Sequence, residues 1–187
     1  MLRSWVADDM SFASGNVVAS ANAPLTKLMG GIQEYISAGV PRSKLVVGLP
    51  WFGYNFACTN NTAGAPCTRN TSAELGSIGY ADALGLAESN SSLTPVTYDR
   101  ATASCWFDYL DAAEPPARHR VWFDTPTSLA VKYSAVRAAG LRGIAIWETA
   151  AVEEGGPLPS YAGLGAAMWD TLAAFATPHG NVSGMAV

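Results

Sequence analysis

The stretch RGIAIW, at residues 142–147 of this 187-residue chain, carries the clearest evidence of its architecture. It is a short apolar run that follows a helical pattern and ends on a tryptophan. A second run of the same kind, KLVVGLPW, occupies residues 44–51. Continuous hydrophobicity over this length is typical of parallel strands that are buried on both faces. The sequence therefore predicts two parallel strands within an α/β architecture.

Three segments with helical periodicity accompany these strands, at residues 22–39, 125–140 and 160–177. Asn22 and Thr125 are the expected N-caps of the first two segments, and each of those two ends on a glycine. Apolar positions recur every three or four residues, as in helices that cover a sheet with one face. Helices that alternate with buried strands predict a barrel or an open α/β sheet.

A long insert separates the first strand from the second helix. It runs from residue 54 to residue 120, whereas connections usually have about 4 to 6 residues. Aromatic residues within or beside it, such as Trp106 and Trp122, argue against disorder, because such rings normally bury large areas or line a cleft. Residues 96–99 and 119–124 are expected to form a small extra sheet there.

The composition excludes several classes of partner. With a net charge of -4 and no run of Lys or Arg, the chain offers no electrostatic match to nucleic acid or to an anionic membrane. No apolar stretch approaches the roughly 18 residues of a membrane helix, and the first ten residues lack the apolar centre of a signal peptide. No phosphate-binding loop, zinc pattern or nucleophile elbow is present, so we expect no metal and no cofactor.

Cysteines and glycosylation sequons point to an oxidising, secretory route. Cys58 and Cys67 flank a short turn and suit a disulfide loop, while Cys105 is either free and buried or paired outside this chain. Four N-x-S/T sequons occur, at Asn60, Asn70, Asn90 and Asn181. The clustering of the first three within the insert predicts a glycoprotein, with chance occurrence in a polar stretch as the alternative.

An ordered set of motifs resembles the C-terminal part of the family 18 glycoside hydrolases, and most closely their di-N-acetylchitobiase branch. The set consists of G-L-P-W-F-G at residues 48–53, W-F-D-x-P-x-S at 122–128, G-L-R-G-I at 140–144 and a strand that ends in Trp147. Each piece is weak alone, but the order is specific and covers most of the chain.

The resemblance implies a partial (β/α)8 TIM barrel. Residues 45–51 would be strand seven, residues 142–147 strand eight, and residues 22–39 the helix after strand six. Met1 would fall just after strand six, so the chain would hold roughly the last third of a barrel that typically has about 250 residues or more. We therefore expect residues 1–187 to be an incomplete family 18 catalytic domain, with the long insert after strand seven.

Trp147 is the main candidate for sugar binding. Strand alternation places Ile144 and Ile146 on one face and Ala145 and Trp147 on the other. If the isoleucines face the helices, the indole points into the barrel at its C-terminal rim, where such barrels carry their sites. A flat indole there can stack on a pyranose, and the resemblance implies a sugar-floor Trp at this strand end. A core-filling aromatic is the alternative.

Trp51 and Glu148 are further candidates for substrate binding. Trp51 ends the other strand at the same rim, but the sequence does not fix the face on which it lies. Glu148 follows Trp147, where the chitobiase branch tends to carry an amide, and its carboxylate can either bond a sugar hydroxyl or remain solvated. Phe52 stands where the family usually has Tyr, which removes a hydroxyl.

The resemblance also implies the chemistry. In this family the 2-acetamido group of the sugar attacks its own anomeric carbon while a Glu protonates the leaving oxygen. That machinery lies in a D-x-x-D-x-D-x-E motif after strand four and a Tyr after strand six, and neither occurs in this chain. The nearest acidic cluster, Asp108, Asp111 and Glu114, has a different spacing and lies in the insert, so we expect it to be unrelated.

These observations predict a fragment of a secreted or lysosomal hydrolase that acts on β-linked N-acetylglucosamine oligomers. The substrate would be a chitooligosaccharide or the N-acetylglucosamine of an N-glycan core. The chain would supply part of the sugar cleft but no catalytic residue. A non-catalytic carbohydrate-binding protein of the same fold and a truncated product without stable function are the alternatives.

Overall fold

The computed structural model describes residues 17–58, 66–69, 76–152 and 163–176. Within these ranges the chain forms two β-sheets, four α-helices and two short 3₁₀ helices. The strands are β1 (Val17–Val18), β2 (Val46–Pro50), β3 (Phe52–Cys58), β4 (Pro66–Arg69), β5 (Ser77–Gly79), β6 (Thr97–Asp99), β7 (Ser104–Leu110), β8 (Arg118–Phe123) and β9 (Gly143–Trp147). The helices are α1 (Leu25–Ser37), α2 (Tyr80–Glu88), α3 (Pro126–Ala138) and α4 (Leu164–Ala176), with 3₁₀ turns at Arg42–Lys44 and Thr149–Val152.

Strands β2 and β9 form a two-stranded parallel sheet, which confirms the predicted pair of parallel strands. The register runs from Val46 opposite Gly143 to Pro50 opposite Trp147. Neither strand has a further strand neighbour among the described residues. Since paired residues of parallel strands point to the same side, alternate residues of both strands share one apolar face. That face packs against the helices in the main core.

The remaining strands form a seven-stranded antiparallel sheet in the order β1-β4-β3-β8-β7-β6, with β5 also paired to β3. The expected extra sheet is therefore present, but it is larger than predicted. Strands β1, β3, β4, β5 and β7 were not expected, and strands β3 to β8 lie between Phe52 and Phe123. Helix α2 packs against β5 and β7 of this sheet.

The helix ends agree with the sequence only in part. In α3, Thr125 accepts a bond from Ser128 N at 3.3 Å while Ser128 Oγ accepts one from Thr125 N at 2.9 Å, which confirms the predicted cap. The predicted cap of α1 is wrong, because the helix begins at Leu25 with Pro24 as its N-cap. Asn22 Nδ2 instead donates to the carbonyl of Phe52 at 2.7 Å.

Helix α4 begins at Leu164, later than the pattern predicted, and residues 160 and 177, its predicted bounds, lie outside the described residues. Met168 on this helix is fully buried in the main core. None of the helices in the described ranges has the length and apolar character that a membrane span requires.

A buried ion pair fixes α3 to the antiparallel sheet. Lys132 Nζ donates to both carboxylate oxygens of Asp124, at 2.8 and 2.7 Å, and to Ser104 Oγ at 2.9 Å. Lys132 is 0% exposed and Asp124 is 3% exposed. Because Asp124 directly follows β8 and Ser104 begins β7, this cluster ties the helix to two strands at once.

Candidate functional site

Trp147 lies at the end of β9 with 64% of its surface exposed. Ile144 and Ile146, on the opposite face of the strand, pack against the main core. The condition for the predicted orientation of Trp147 is therefore met, because the isoleucines face the helices. Within the part of the chain that the structure describes, no aromatic ring packs on this indole. The indole is therefore largely accessible to solvent.

Trp51 lies on the other side of the same parallel pair. It is 1% exposed, its Nε1 donates to Tyr133 Oη at 3.1 Å, and its ring meets Trp169 edge-on with centroids 4.9 Å apart. The register explains this placement, since Pro50 is opposite Trp147 and the next residue therefore has the opposite parity. Trp51 is thus packed between the sheet and helices α3 and α4, and the structure does not place it beside Trp147 on one surface.

The two tryptophans are nevertheless joined through the backbone. The N–H of Trp51 donates to the carbonyl oxygen of Trp147 at 3.1 Å. This bond lies at the corner where the chain leaves β2 and enters β3 at Phe52. The peptide bond that follows, between Trp147 and Glu148, is cis.

Glu148 extends the exposed end of β9. Its side chain is exposed, and it makes no ion pair or hydrogen bond with another described residue. It is the only acidic residue in the described part of the chain that lies next to Trp147 in sequence.

An aromatic face of the antiparallel sheet begins at the same corner. Tyr54 is opposite Trp122, which is opposite Trp106, so one row of aromatic side chains crosses three strands. Phe52 contacts Tyr54 edge-on, with centroids 5.5 Å apart. The sequence predicts Trp106 and Trp122 only as packing or cleft residues. The alternation of aromatic residues in FGYNF, with a period of two, is the sequence signal for this face.

Arg120 and Asp108 add charge to this aromatic face. The Arg120 guanidinium lies 4.4 Å from the centroid of the Trp106 ring, close enough for a cation–π contact. The same guanidinium bonds both oxygens of Asp108, from Nε at 2.7 Å and from Nη2 at 2.9 Å. With this two-point contact and 1% exposure, Asp108 is a structural ion-pair partner.

The other two members of the acidic cluster are not brought to Asp108. Asp111 Oδ1 accepts from the backbone N–H of Ala117 at 2.7 Å, and Oδ2 lies 3.2 Å from His119 Nε2. These bonds, that from Ala117 first, hold the pKa of Asp111 below its ordinary value. Glu114 is exposed in the turn between β7 and β8. The described geometry gives the three carboxylates separate surroundings.

The three cysteines form one disulfide and one free thiol, which is one of the two expected arrangements. Cys58 and Cys67 form a disulfide that crosslinks β3 and β4, as predicted. Cys105 is free and buried, with its Sγ 3.6 Å from Thr125 Oγ1. Burial raises the pKa of this thiol. Cys105 is therefore an inert core residue rather than a reactive group.

Of the predicted glycosylation sites, Asn90 is exposed in the turn after α2. Asn60, Asn70 and Asn181 lie outside the described residues. No group of three or more His, Cys, Asp or Glu side chains that can hold a metal ion is found in the ranges that the structure describes.

Comparison with known proteins identifies the family. The sequence model for glycosyl hydrolases family 18 matches residues 8–151. The chain belongs to glycosyl hydrolase family 18. It is 32% identical over 149 residues to the di-N-acetylchitobiase of Mus musculus, an alignment that covers 75% of this chain and 40% of that protein. The di-N-acetylchitobiase of Homo sapiens is 29% identical over 157 residues, covering 80% and 40%. The chain thus spans less than half the length of these family 18 relatives.

Solved structures share the fold. The group IV chitinase of Ostrinia furnacalis superposes with a TM-score of 0.66 at 24% identity, covering 83% of this chain and 46% of that one. The class V chitinase of Nicotiana tobaccum in complex with NAG4 gives a TM-score of 0.64 at 20% identity, covering 83% and 43%. The predicted family is therefore confirmed, and membership of family 18 supports its barrel as the setting of the β2–β9 pair.

Proposed function

We propose that this chain is the C-terminal part of a family 18 hydrolase that cleaves β-linked N-acetylglucosamine oligomers. In this proposal β2 and β9 are strands seven and eight of its barrel. The chain supplies part of the sugar cleft, and the catalytic acid comes from sequence that this chain does not include. The observation that carries the proposal is the exposed indole of Trp147 at the C-terminal end of a parallel strand in a family 18 chain.

The physical case for Trp147 rests on its open ring. Sugar rings have an apolar face of C–H groups, which packs well on a flat aromatic surface. Covering about 100 Å² of apolar surface is worth about 2.5 kcal/mol. Because the indole is already exposed at the end of a strand, the protein has little to rearrange before a sugar stacks on it. Glu148 is then the nearest acceptor in the sequence for a sugar hydroxyl.

The role assigned to this chain is sugar binding and not cleavage. Substrate-assisted cleavage needs a carboxylic acid that protonates the leaving oxygen and groups that orient the acetamide. Asp108 is bound to Arg120, and Asp111 is bound to backbone N–H groups and His119. Neither is available as an acid beside Trp147. We therefore expect the 187-residue chain to show no turnover of a chitobioside reporter by itself.

The substrate and the route of the protein follow from the same reasoning. Relatives named di-N-acetylchitobiase favour short chitooligosaccharides, or the N-acetylglucosamine of an N-glycan core, as substrate. The disulfide supports passage through an oxidising compartment and hence a secreted or lysosomal location. The exposed sequon at Asn90 is the glycosylation site best supported by its surroundings.

The decisive experiment is a titration with chitotetraose monitored by intrinsic tryptophan fluorescence. We expect the wild-type chain to bind and Trp147→Ala to lose about 10- to 100-fold in affinity, as the loss of about 1.4 to 2.8 kcal/mol requires. Tyr98→Ala is the matched control, since Tyr98 is an aromatic residue 40% exposed on β6. Equal affinity for wild type and Trp147→Ala would refute the proposed cleft.

A non-catalytic sugar-binding protein is the second candidate function. It is favoured by one observation, namely the exposed indole of Trp147, because stacking a sugar on this ring requires no catalytic residue. Reading the transcript upstream of residue 1 separates the two. An in-frame motif with its Glu supports the hydrolase, and the same motif with the Glu replaced supports the sugar-binding protein.

A further inference from the structure

We propose that Trp51 and Tyr133 form a positioning unit that sets the orientation of Trp147 without touching the sugar. The inference rests on the proposed function, because it takes Trp147 as the sugar-stacking residue. It assigns a role to a tryptophan that lies at the same strand end but is fully buried. Trp51 is the positioning residue and Tyr133 is the residue that holds it.

Three contacts fix Trp51 in place. The hydroxyl of Tyr133 accepts its Nε1–H at 3.1 Å, and Trp169 lies edge-on to its ring with centroids 4.9 Å apart. Its backbone N–H donates to Trp147 O at 3.1 Å. Bonds at both ends of one residue make Trp51 a link between the helix layer and the end of β9.

The support beneath Tyr133 is rigid. The preceding residue, Lys132, makes three hydrogen bonds with Asp124 and Ser104 in the buried ion-pair cluster. Tyr133 is 1% exposed, and its ring also packs beside Phe175 of α4 at 5.7 Å. Burial raises the pKa of Tyr133 to about 12, so its hydroxyl stays neutral and keeps accepting the indole N–H over the whole physiological range.

Trp147 has no comparable support of its own. Its indole is 64% exposed and has no ring neighbour among the described residues. The direction of its Cα–Cβ bond is set by its backbone, and its carbonyl is bonded to Trp51. If Trp51 shifts, the carbonyl of Trp147 moves with it, and the angle of the indole toward a sugar changes. Small displacements of a positioned group weaken a stacked contact without removing it.

Two tyrosine variants separate positioning from stability. Tyr133→Phe keeps the ring but removes the acceptor of Trp51 Nε1. Tyr109→Phe is the matched control, because the Tyr109 hydroxyl is also buried and also accepts a side-chain N–H, from Asn55 Nδ2 at 2.7 Å. Both variants lose one hydrogen bond, but only the first lies on the path to Trp147.

Each variant is measured in two ways: by chitotetraose affinity and by the indole ¹H–¹⁵N signal of Trp147, which is assigned from its disappearance in Trp147→Ala. We expect Tyr133→Phe to lose about three- to tenfold in affinity, equivalent to about 0.6 to 1.4 kcal/mol. We also expect it to shift the Trp147 signal. Tyr109→Phe should change neither, although its melting temperature also falls.

Other outcomes have clear meanings. Equal loss of affinity in both variants, in proportion to their melting temperatures, would overturn the positioning role, as would an unmoved Trp147 signal in Tyr133→Phe. If the wild-type chain binds no oligosaccharide, the proposed function fails. The Trp147 signal then still decides the positioning role, because it is read without a sugar.

Discussion

The parallel pair β2–β9 and the antiparallel sheet are stabilised in different ways. In the antiparallel sheet β3, β7 and β8 are each paired on both sides, and Phe56, Phe107 and Val121 are fully buried in them. In the parallel pair each strand has one partner among the described residues, and β9 is only partly buried up to the exposed Trp147. The sheet of the insert is thus the better supported part, while the candidate site lies on the less supported pair.

Contacts through α3 connect the antiparallel sheet to the end of the parallel pair. Strand β3 starts one residue after Trp51, and the ion-pair cluster around Lys132 joins β7 and the end of β8 to α3. Helix α3 in turn holds Trp51 through Tyr133. Helix α3 therefore connects the antiparallel sheet to the end of the parallel pair.

Amide hydrogen exchange measures the difference in stability between the two sheets directly. We expect amides of β2 and β9 to exchange about 100-fold or more faster than those in the centre of β3, β7 and β8, because unpaired edges open more easily. Exchange followed by NMR on the chain gives both sets in one experiment. Equal protection of the amides in the two sheets would mean that the parallel pair is stable without further strands. The interpretation as an incomplete barrel would then lose its support.

Removing the cation of the ion-pair cluster should have the next largest effect. Lys132→Met leaves the carboxylate of Asp124, only 3% exposed, buried without its cation. We expect a loss of about 3 to 5 kcal/mol in the free energy of unfolding, measured with urea. Arg118→Met is the control, since its 3.9 Å contact with Asp108 involves a side chain that is 28% exposed. That change should cost less than about 1 kcal/mol.

A smaller effect is expected where β3 and β8 approach each other. A Cβ at Gly53 would lie 2.8 Å from the Trp122 carbonyl oxygen and 2.9 Å from Phe123 Cβ. Gly53→Ala should therefore destabilise the sheet by about 1 to 3 kcal/mol. At Gly30, inside α1, a Cβ meets nothing within 4 Å, so Gly30→Ala should stabilise by about 0.5 to 1 kcal/mol. The same sign for both changes in thermal unfolding would contradict this packing.

The sequence was most informative where a single signal was sufficient. Continuous apolar runs predicted β2 and β9, and Thr125 with Pro126 predicted the start of α3. The spacing of Cys58 and Cys67 predicted their disulfide. In each case the local pattern and the tertiary structure agree, so no distant contact had to be known.

The features that the sequence did not predict have a common physical cause, because tertiary contacts determine the structure at those residues. Strand β7 carries Trp106 on one face and Phe107 on the other, so apolar alternation is hidden by burial of both faces. Trp51 follows an apolar strand that has no polar residue to mark its outer face. The face on which Trp51 lies therefore follows only from the register of β2 with β9. Asn22 was expected to cap α1 but bonds Phe52, thirty residues away in sequence.

The smallest effect is a pH dependence at the turn between β7 and β8. Asp111 accepts backbone bonds from Ala117 and Ala113 and faces His119, and these contacts hold the pKa of its carboxyl below the ordinary value. A carboxyl whose pKa is lower in the folded state stabilises the fold above its unfolded pKa of about 3.9. That contribution is lost as the pH falls through the lower, folded pKa.

The free energy of unfolding of Asp111→Asn should therefore change less with pH in the acid range than that of the wild type. The amide oxygen can still accept a backbone bond but carries no charge, so the variant should be slightly less stable than wild type at neutral pH. The two should converge as the pH falls through the lower, folded pKa of Asp111, because the wild-type carboxyl is then protonated as well. Urea unfolding across this range tests the expectation, with the exposed Glu114→Gln as the control that should leave the curve unchanged. If the free energies of unfolding of wild type and Asp111→Asn differ by the same amount at every pH, the loss comes from altered packing of the turn. The charge of Asp111 would then not stabilise the antiparallel sheet.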